Sequence, residues 1–368
     1  MTLAPGLVRD AIINYLEAVA ADASIAEIYD AVVRQIGEVA PSSVRSYLNL
    51  NASEIFQRTD IGRYRLRIEP SGAALRVQKC ANFSDGLSVL VHSDCFDWLT
   101  GRDACSIHAV VTDPPYGLVE YTPKEQAKLR KRVGGVWRIP PSFDGHKRSP
   151  LPRFTILDDW DWRELHTFFK RLATQFMRVL VPGANVVIAS NPLLSHVVSS
   201  AMTEGGLELR GNIIRLVMTM RGGDRPKNAH REFSGVSVMP RSMWEPWIVL
   251  RKPLDGRVQD NLRKWKTGGF RRPSAKQPFG DVIKSRPTPT LERKIAPHPS
   301  LKPQAFLRQV IRGVLPLGEG TILDPFAGSG SSLAAANAVG YKSIGLERDR
   351  EYFEMATNAI PRLATFSA

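Results

Sequence analysis

The chain has few cysteines and no way to pair them locally. Cys80, Cys95 and Cys105 are the only three in 368 residues, and none forms a CxxC pair. A disulfide framework is not expected, and a reducing cytoplasm is the expected setting. No apolar run approaches the roughly 18–20 residues that span a bilayer. The N-terminus shows no basic segment followed by an apolar one, so no signal peptide is read. Zinc spacing is absent around His92, His108 and His146, and no metal site is expected. Neither GxxxxGK[ST] nor GxGxxG occurs, which removes the common phosphate and dinucleotide loops. Lys79, Asp94 and Ala104 precede the three cysteines, so no Pro-Cys pair occurs.

Acidic residues are also in deficit. Against 50 Lys and Arg stand 36 Asp and Glu, a net of +14. A surplus of that size points to a polyanion, most often nucleic acid. It is concentrated in two places. Residues 119–153 carry nine basic against three acidic residues, and 251–294 carry thirteen against four. The remainder of the chain is close to neutral.

Residues 1–70 read as a separate unit. Leu7 to Ala20 has helical apolar spacing, and Ser24-Ile25-Ala26-Glu27 is a capping box opening a second helix. Pro41-Ser42-Ser43-Val44 opens a third helix, and Ile55-Phe56 and Tyr64-Arg65-Leu66 flank a turn at Asp60-Ile61-Gly62. Three helices and a hairpin resemble a winged helix-turn-helix, whose third helix would present Ser42, Ser43, Arg45 and Ser46 to a DNA groove. Dimerisation or packing is the equal alternative at this point. Pro70-Ser71-Gly72 reads as a linker to a second domain, 80–368.

In that domain seven apolar strands alternate with helices. They are 89–92, 107–111, 185–189, 213–217, 248–250, 322–323 and 343–346, with helices over 162–179 and 304–314. This pattern predicts a doubly wound, mainly parallel α/β sheet. Two basic, Pro- and Gly-rich stretches, 119–155 and 252–300, refuse it. They read as disordered, or as insertions ordered by a partner.

Two constellations carry chemistry. Leu323-Asp324-Pro325-Phe326-Ala327-Gly328-Ser329-Gly330-Ser331-Ser332 is a strand ending in an acid, a small-residue loop and a helix start. Glycines admit a ligand to the backbone, and an acid at the strand end suits a cationic ligand better than pyrophosphate. The next strand ends in Glu347, placed to accept hydrogen bonds from ribose hydroxyls, so a nucleoside-type cofactor is read. The second constellation is Asp113-Pro114-Pro115-Tyr116. Its prolines end a buried strand and stiffen a loop at the carboxyl edge of the sheet. That loop offers a carboxylate, a carbonyl and an aromatic face, which match the two N–H donors and flat ring of an aminated base.

With these motifs the chain resembles the β-group DNA amino-methyltransferases of restriction–modification and orphan modification systems. In that group the DPPY motif precedes the cofactor motif, usually DPFxGSGT, as it does here. The segment usually written HPxxKP falls on His298-Pro299-Ser300-Leu301-Lys302-Pro303, and RPxN falls on Arg225-Pro226-Lys227-Asn228. A Gly-Asp position falls on Ser93-Asp94, so its glycine is missing. The resemblance spans about residues 85–360 and implies a seven-stranded S-adenosylmethionine methyltransferase sheet with permuted motif order. It implies catalytic roles for Asp113, Pro114, Pro115 and Tyr116. It implies S-adenosylmethionine binding by Asp94, Cys95, Asp113, Lys302, residues Asp324 to Ser332, Glu347 and Arg348. It makes 119–155 a DNA-contacting loop and 252–296 the target-recognition region.

DNA contacts are expected from Arg130, Lys131, Arg132, Arg225, Lys227, Asn228, Arg263, Lys264, Arg271 and Arg272, with Trp265 and Phe270 stacking or simply packing. Double-stranded DNA is the expected partner, adenine N6 in a flipped-out base the expected target. Asp at the first motif position favours adenine in this family, and cytosine N4 is the alternative. Other readings are a DNA-binding regulator with an inactive methyltransferase fold, and an RNA or protein amino-methyltransferase. The resemblance also allows a homodimer. The enzyme is expected in the cytoplasm, on nucleoid DNA.

The clustered charge makes one prediction. DNA affinity should fall about 10³-fold between 50 and 200 mM salt, as about six phosphate contacts require. A flat response in a binding titration would contradict a basic groove.

Overall fold

The amphipathic segments at the start of the chain fold as helices around one small core. The computed structural model describes residues 7–19, 21–50, 56–66, 79–84, 86–114, 142–143, 146–147, 159–217, 223, 225–226, 228–298 and 300–367. Two units are formed, Met1–Val77 and Gln78–Ala368. In the first, α1 is Leu7–Val19, β1 Ala23–Ser24, α2 Ile25–Ile36 and α3 Pro41–Leu50. A hairpin follows, β2 Phe56–Asp60 and β3 Arg63–Leu66, and the sheet order is β1-β3-β2. The capping box forms in both directions: Ser24 N–H donates to Glu27 Oε2 at 2.7 Å, and Glu27 N–H to Ser24 Oγ at 3.3 Å. Ile12, Ile28, Val32, Val44, Leu48 and Phe56 are wholly buried against one another. The linker at 70–72 lies outside the described residues.

The second unit is built on one sheet. Its strands are β4 Cys80–Phe83, β5 Ser88–His92, β6 Ile107–Thr112, β9 Leu180–Ala189, β10 Glu208–Leu216, β11 Trp244–Arg251, β12 Val282–Lys284, β13 Thr321–Asp324 and β14 Lys342–Glu347. The short pair β7 Ser142–Phe143 and β8 His146–Lys147 forms an antiparallel ladder of its own. The main order is β12-β10-β11-β9-β6-β13-β14-β5-β4. All seven expected strands are present, and β4 and β12 extend the sheet to nine at its edges. The pairings from β9 through β6, β13 and β14 to β5 are parallel. The helices are α4 Cys95–Gly101, α5 Asp159–Val179, α6 Ser195–Glu204, α7 Val258–Trp265, α8 Thr290–Ile295, α9 Gln304–Val314, α10 Ser331–Val339 and α11 Arg350–Ala364. They cover both faces, with separate apolar clusters centred on Phe169 and Phe176 on one side and Phe306 and Val310 on the other. That burial on both faces is why the central strands read as unbroken apolar runs.

Late strands lie in the middle of the sheet. β13 is inserted between β6 and β14, with Ile322 beside Ala109 and Leu323 beside Val110. Glu347 pairs with His92. The carboxyl ends of β6, β13, β14 and β5 therefore bring Asp113, Asp324, Glu347 and Asp94 to one edge, where such sheets bind ligands.

The stretch 252–296 corrects an expectation. It folds on its own chain rather than waiting for a partner. Asn261 is fully buried; its Nδ2 donates to Pro182 O at 3.1 Å and Thr267 O at 2.8 Å, and its Oδ1 accepts from Asp255 N at 2.9 Å. Phe270 stacks on Phe279 with centroids 5.2 Å apart, and β12 adds to β10. Composition read the segment as polar; a few buried anchors decide it. The expected loop at 119–155 lies outside the described residues except for β7 and β8.

Asn261→Ala should therefore lower the stability of the larger unit by about 1–3 kcal/mol, because two carbonyls lose their donor. Urea unfolding of the two proteins measures the difference; an unchanged midpoint would show that Asn261 anchors nothing.

Candidate active site

The loop after β13 is held by its own acid. Thr112 Oγ donates to Asp324 Oδ1 at 2.6 Å, the Phe326 N–H donates to the same oxygen at 3.1 Å, and the Ser332 hydroxyl donates to Oδ2. Both carboxylate oxygens of the buried Asp324 are engaged internally. It fixes the ends of β6 and α10 relative to β13. Burial pushes its carboxyl up to about 6, against the opposing hydrogen bonds. Gly330 has φ +76°, and a Cβ there would strike Ile360; Gly328 has φ +50° and would place a Cβ 3.1 Å from His298 Nε2. The loop thus needs glycine for conformation and for clearance at both positions. Ser329 and Ser331 are buried with hydroxyls 3.0 Å apart.

Glu347 closes the other side. Its Oε2 accepts from Gly328 N–H at 2.8 Å and its Oε1 from Asp349 N–H at 2.7 Å. Each oxygen keeps a further lone pair. Asp94 caps α4, accepting from Phe96 N–H at 2.8 Å, and lies 3.8 Å from the exposed Arg348. Cys95 follows at the start of α4. Its side chain packs in the core, where burial pushes the thiol up to about 12.

Beside this loop is a chain of alternating charges. Lys302 Nζ lies 2.8 Å from Asp113 Oδ2 and 2.8 Å from Glu245 Oε1, and Glu245 Oε2 lies 2.7 Å from Arg215 NH1. All four side chains are largely buried: 20% exposed at Asp113, 15% at Lys302, 16% at Glu245 and 8% at Arg215. Arg215 and Glu245 are direct partners across β10 and β11. Arg215 also donates to Ser285 Oγ at 3.0 Å and Arg286 O at 3.1 Å. Two cations and two anions balance, which such burial requires. Burial raises the Asp113 carboxyl and Glu245 raises it further, while Lys302 opposes both. Burial also acts on Glu245, but Lys302 and Arg215 together hold it below the ordinary range. The two carboxylates outweigh desolvation at Lys302 and raise it to about 12.

Asp113, Lys302, Trp247, His298, Asp324 and Gly328 line one cleft. Burial first, then Lys302, brings His298 down to about 4, so it is neutral at pH 7. The Trp247 indole N–H is buried without a hydrogen-bond partner among the described residues. A donor left unpaired beside a cleft, with glycine backbone and the second lone pairs of Glu347, fits a polar nucleoside-type cofactor. Pro114 is buried; Pro115 and Tyr116 lie outside the described residues.

The expected DNA-contacting residues divide. Arg130, Lys131, Arg132 and Lys227 lie outside the described residues, while Arg225, Asn228 and Arg272 are exposed. Arg263 is paired with Asp260 at 2.9 Å and Lys264 with Asp255 at 2.7 Å, though both remain well exposed. Arg271 donates to Tyr341 Oη at 2.5 Å. Trp265 and Phe270 pack against the two core clusters, so the packing alternative holds for them. Sequence reasoning missed Glu245, Arg215 and Trp247. Two opposite charges inside apolar strands, Ile214-Arg215-Leu216 and Trp244-Glu245-Pro246, were the available signal.

Open α/β sheets bind ligands at their carboxyl edge, and here that edge carries Asp113 and the 324–332 glycine loop on one cleft, the arrangement of a ligand-binding α/β enzyme. The family profile described as DNA methylase, of the N6/N4 methyltransferase type, matches residues 107–358, and the chain belongs to this family. It is an S-adenosylmethionine-dependent DNA methyltransferase. It is 24% identical over 301 residues to the Type II methyltransferase M.HindIII of Haemophilus influenzae, covering 74% of this chain and 95% of that protein. It is 24% identical over 277 residues to M2.DpnII of Streptococcus pneumoniae, covering 73% and 87%. Similar solved structures include the M1.HpyAVI–SAM complex, at 17% identity, TM-score 0.41, and 74% and 98% coverage. The cytosine-N4-specific PvuII DNA methyltransferase is another, at 13% identity, TM-score 0.47, and 76% and 86% coverage. Among the described residues no helix is long and apolar enough to cross a membrane.

The charge chain predicts opposite pH shifts. An Asp113 that works as an ionised acceptor loses activity as pH falls through its pKa. Lys302→Met removes the cation that opposes burial and should move the acid limb of the rate profile up by about one unit or more. Glu245→Gln removes a repelling anion and should move it down. Shifts of the same sign in both variants would contradict the arrangement.

Proposed function

We propose that the chain methylates the N6 amino group of adenine in double-stranded DNA, acting on a base flipped into the cleft. The observation that carries this reading is Asp113, a carboxylate that Lys302 favours in its charged form at the carboxyl edge, beside Pro114 and the glycine loop. An exocyclic amine has two N–H groups. Asp113 accepts one through Oδ1 and the Pro114 carbonyl accepts the other. The lone pair of that amine is otherwise delocalised into the ring. Two acceptors out of the base plane favour a pyramidal nitrogen and localise the pair for attack. S-adenosylmethionine would be held by the 324–332 loop, Glu347 and the Asp94 end of β5, and would supply the methyl group. The N–C bond forms as the S–C bond breaks, the sulfonium leaves as a neutral thioether, and the amine gives up one proton to solvent. The rest is positioning and preorganised charge, the effects that dominate such transfers. The Pro115-Tyr116 segment supplies the stacking face.

The adenine assignment rests on Asp at the first motif position. Target recognition is assigned to 252–296, where exposed Arg263, Lys264 and Arg272 take phosphates, and Arg225 and Asn228 add to that contact. The test is to incubate the protein with labelled S-adenosylmethionine and unmethylated mixed-sequence duplex, then identify the labelled nucleoside by mass spectrometry. N6-methyldeoxyadenosine is expected. N4-methyldeoxycytidine would overturn the adenine assignment, and absence of label in any DNA would favour the regulator.

A further inference from the structure

The N-terminal unit has the order α1-β1-α2-α3-β2-β3, with β1 closing the hairpin in the sheet β1-β3-β2. This is the order of a winged helix. Its helical pair α2–α3 is joined by a short turn, and Ile25 N–H donates to Gly62 O at 2.9 Å, tying the start of α2 to the tip of the hairpin. Val44 and Leu48 anchor one face of α3 in the core, while Ser42, Arg45 and Ser46 on its other face are exposed. Arg45 and Gly62 line a common concave surface with Ser24, Tyr29 and Pro41, so α3 and the hairpin tip border one groove.

Charge is divided across the unit. From α1 to α2, residues 7–36 hold Arg9 and Arg34 against Asp10, Glu17, Asp22, Glu27 and Asp30, a net of −3. From α3 to β3, residues 41–66 hold Arg45, Arg58, Arg63 and Arg65 against Glu54 and Asp60, a net of +2. Arg63 is paired with Asp22 at 2.8 Å, but Arg45, Arg58 and Arg65 are exposed. At the hairpin tip Ile61 is 88% exposed. An apolar residue at the end of a basic hairpin has no packing role there. It has the chemistry of a wedge against a base step.

We infer that residues 1–77 form a second duplex-DNA-binding surface. In it α3 enters the major groove through Ser42, Arg45 and Ser46, and the hairpin with Arg58, Ile61 and Arg65 lies on the flanking backbone or minor groove. The inference takes its ligand, duplex DNA, from the proposed function but does not depend on methyl transfer. A small polar helix face with one arginine is what base-edge contact needs. The acidic residues are concentrated in 7–36 and the arginines around α3 and the hairpin, so phosphate is drawn to the side that carries Arg45, Arg58 and Arg65. This gives the enzyme two contacts on one duplex, one that does chemistry and one that adds affinity and selects neighbouring sequence.

The test uses the full chain and fluorescently labelled duplex DNA. Arg45→Glu and Ile61→Ser should fold as the wild type does, since both side chains are exposed. Arg45→Glu should weaken duplex affinity about tenfold or more and lower the slope of log affinity against log salt by about one. Methyl transfer at saturating DNA should keep its kcat, with KM for DNA raised. Ile61→Ser should give a smaller loss at unchanged salt slope. Arg45→Glu binding DNA as the wild type does would overturn the inference, whether or not methyl transfer is seen. A changed sedimentation coefficient in Arg45→Glu would also overturn it, in favour of dimerisation. An RNA duplex of the same sequence competing equally would do so too, because its deep narrow groove does not admit the helix. Loss of affinity in Arg45→Glu, in a protein whose wild type transfers no methyl group, would leave this surface standing and remove the catalytic reading instead.

Discussion

The site depends on one ammonium group shared by two carboxylates. Lys302 comes from the segment before α9, Asp113 from the end of β6 and Glu245 from β11. None of the three is tolerable in that position alone, since an unpaired buried charge costs about 3–5 kcal/mol when its partner is removed. Together with Arg215 they form a neutral row that joins the reacting loop to the far strands of the sheet. The row does two things at once. It ties the loop after β6 to the segment before α9, and its ammonium opposes the burial that raises the Asp113 carboxyl.

Topology explains why such distant residues meet. The strand carrying the cofactor loop is near the end of the chain yet lies beside β6 in the middle of the sheet. Thr112 on β6 reaches Asp324 on β13, and Glu347 on β14 reaches back to Gly328. Acids at four neighbouring strand ends thereby have separate work. Asp324 and Asp94 hold backbone and hydroxyl groups of the fold, Glu347 braces the glycine loop, and Asp113 is paired with Lys302 and is the acid proposed to face the amine. The difference lies in what surrounds each carboxylate, not in the residue type.

Much of this was legible from residues alone. Apolar runs marked the seven inner strands because both faces of the sheet are covered, and the capping box at Ser24 marked α2 because its two hydrogen bonds are local. The Asp-Pro-Pro-Tyr and glycine-loop motifs were legible because their chemistry is carried by contiguous residues. Glu245 and Arg215 were not, since their meaning lies in a cross-strand pairing 30 residues apart in sequence. Nor was the fold of 252–296, where charge and proline dominate the composition while Asn261, Phe270 and Phe279 decide the packing. The internal bracing of Asp324 by Thr112 and Ser332 was not legible either, since Thr112 lies 212 residues away in sequence.

The most direct test of the account is single-turnover methyl transfer by Asp113→Asn at saturating S-adenosylmethionine and DNA. The asparagine keeps the size and one acceptor but cannot hold the charge that Lys302 sustains. The account predicts S-adenosylmethionine binding within a few-fold of wild type and a transfer rate lower by about 10²–10³. Transfer at the wild-type rate would contradict the role given to the Asp113 carboxylate and, with it, the reading of the site.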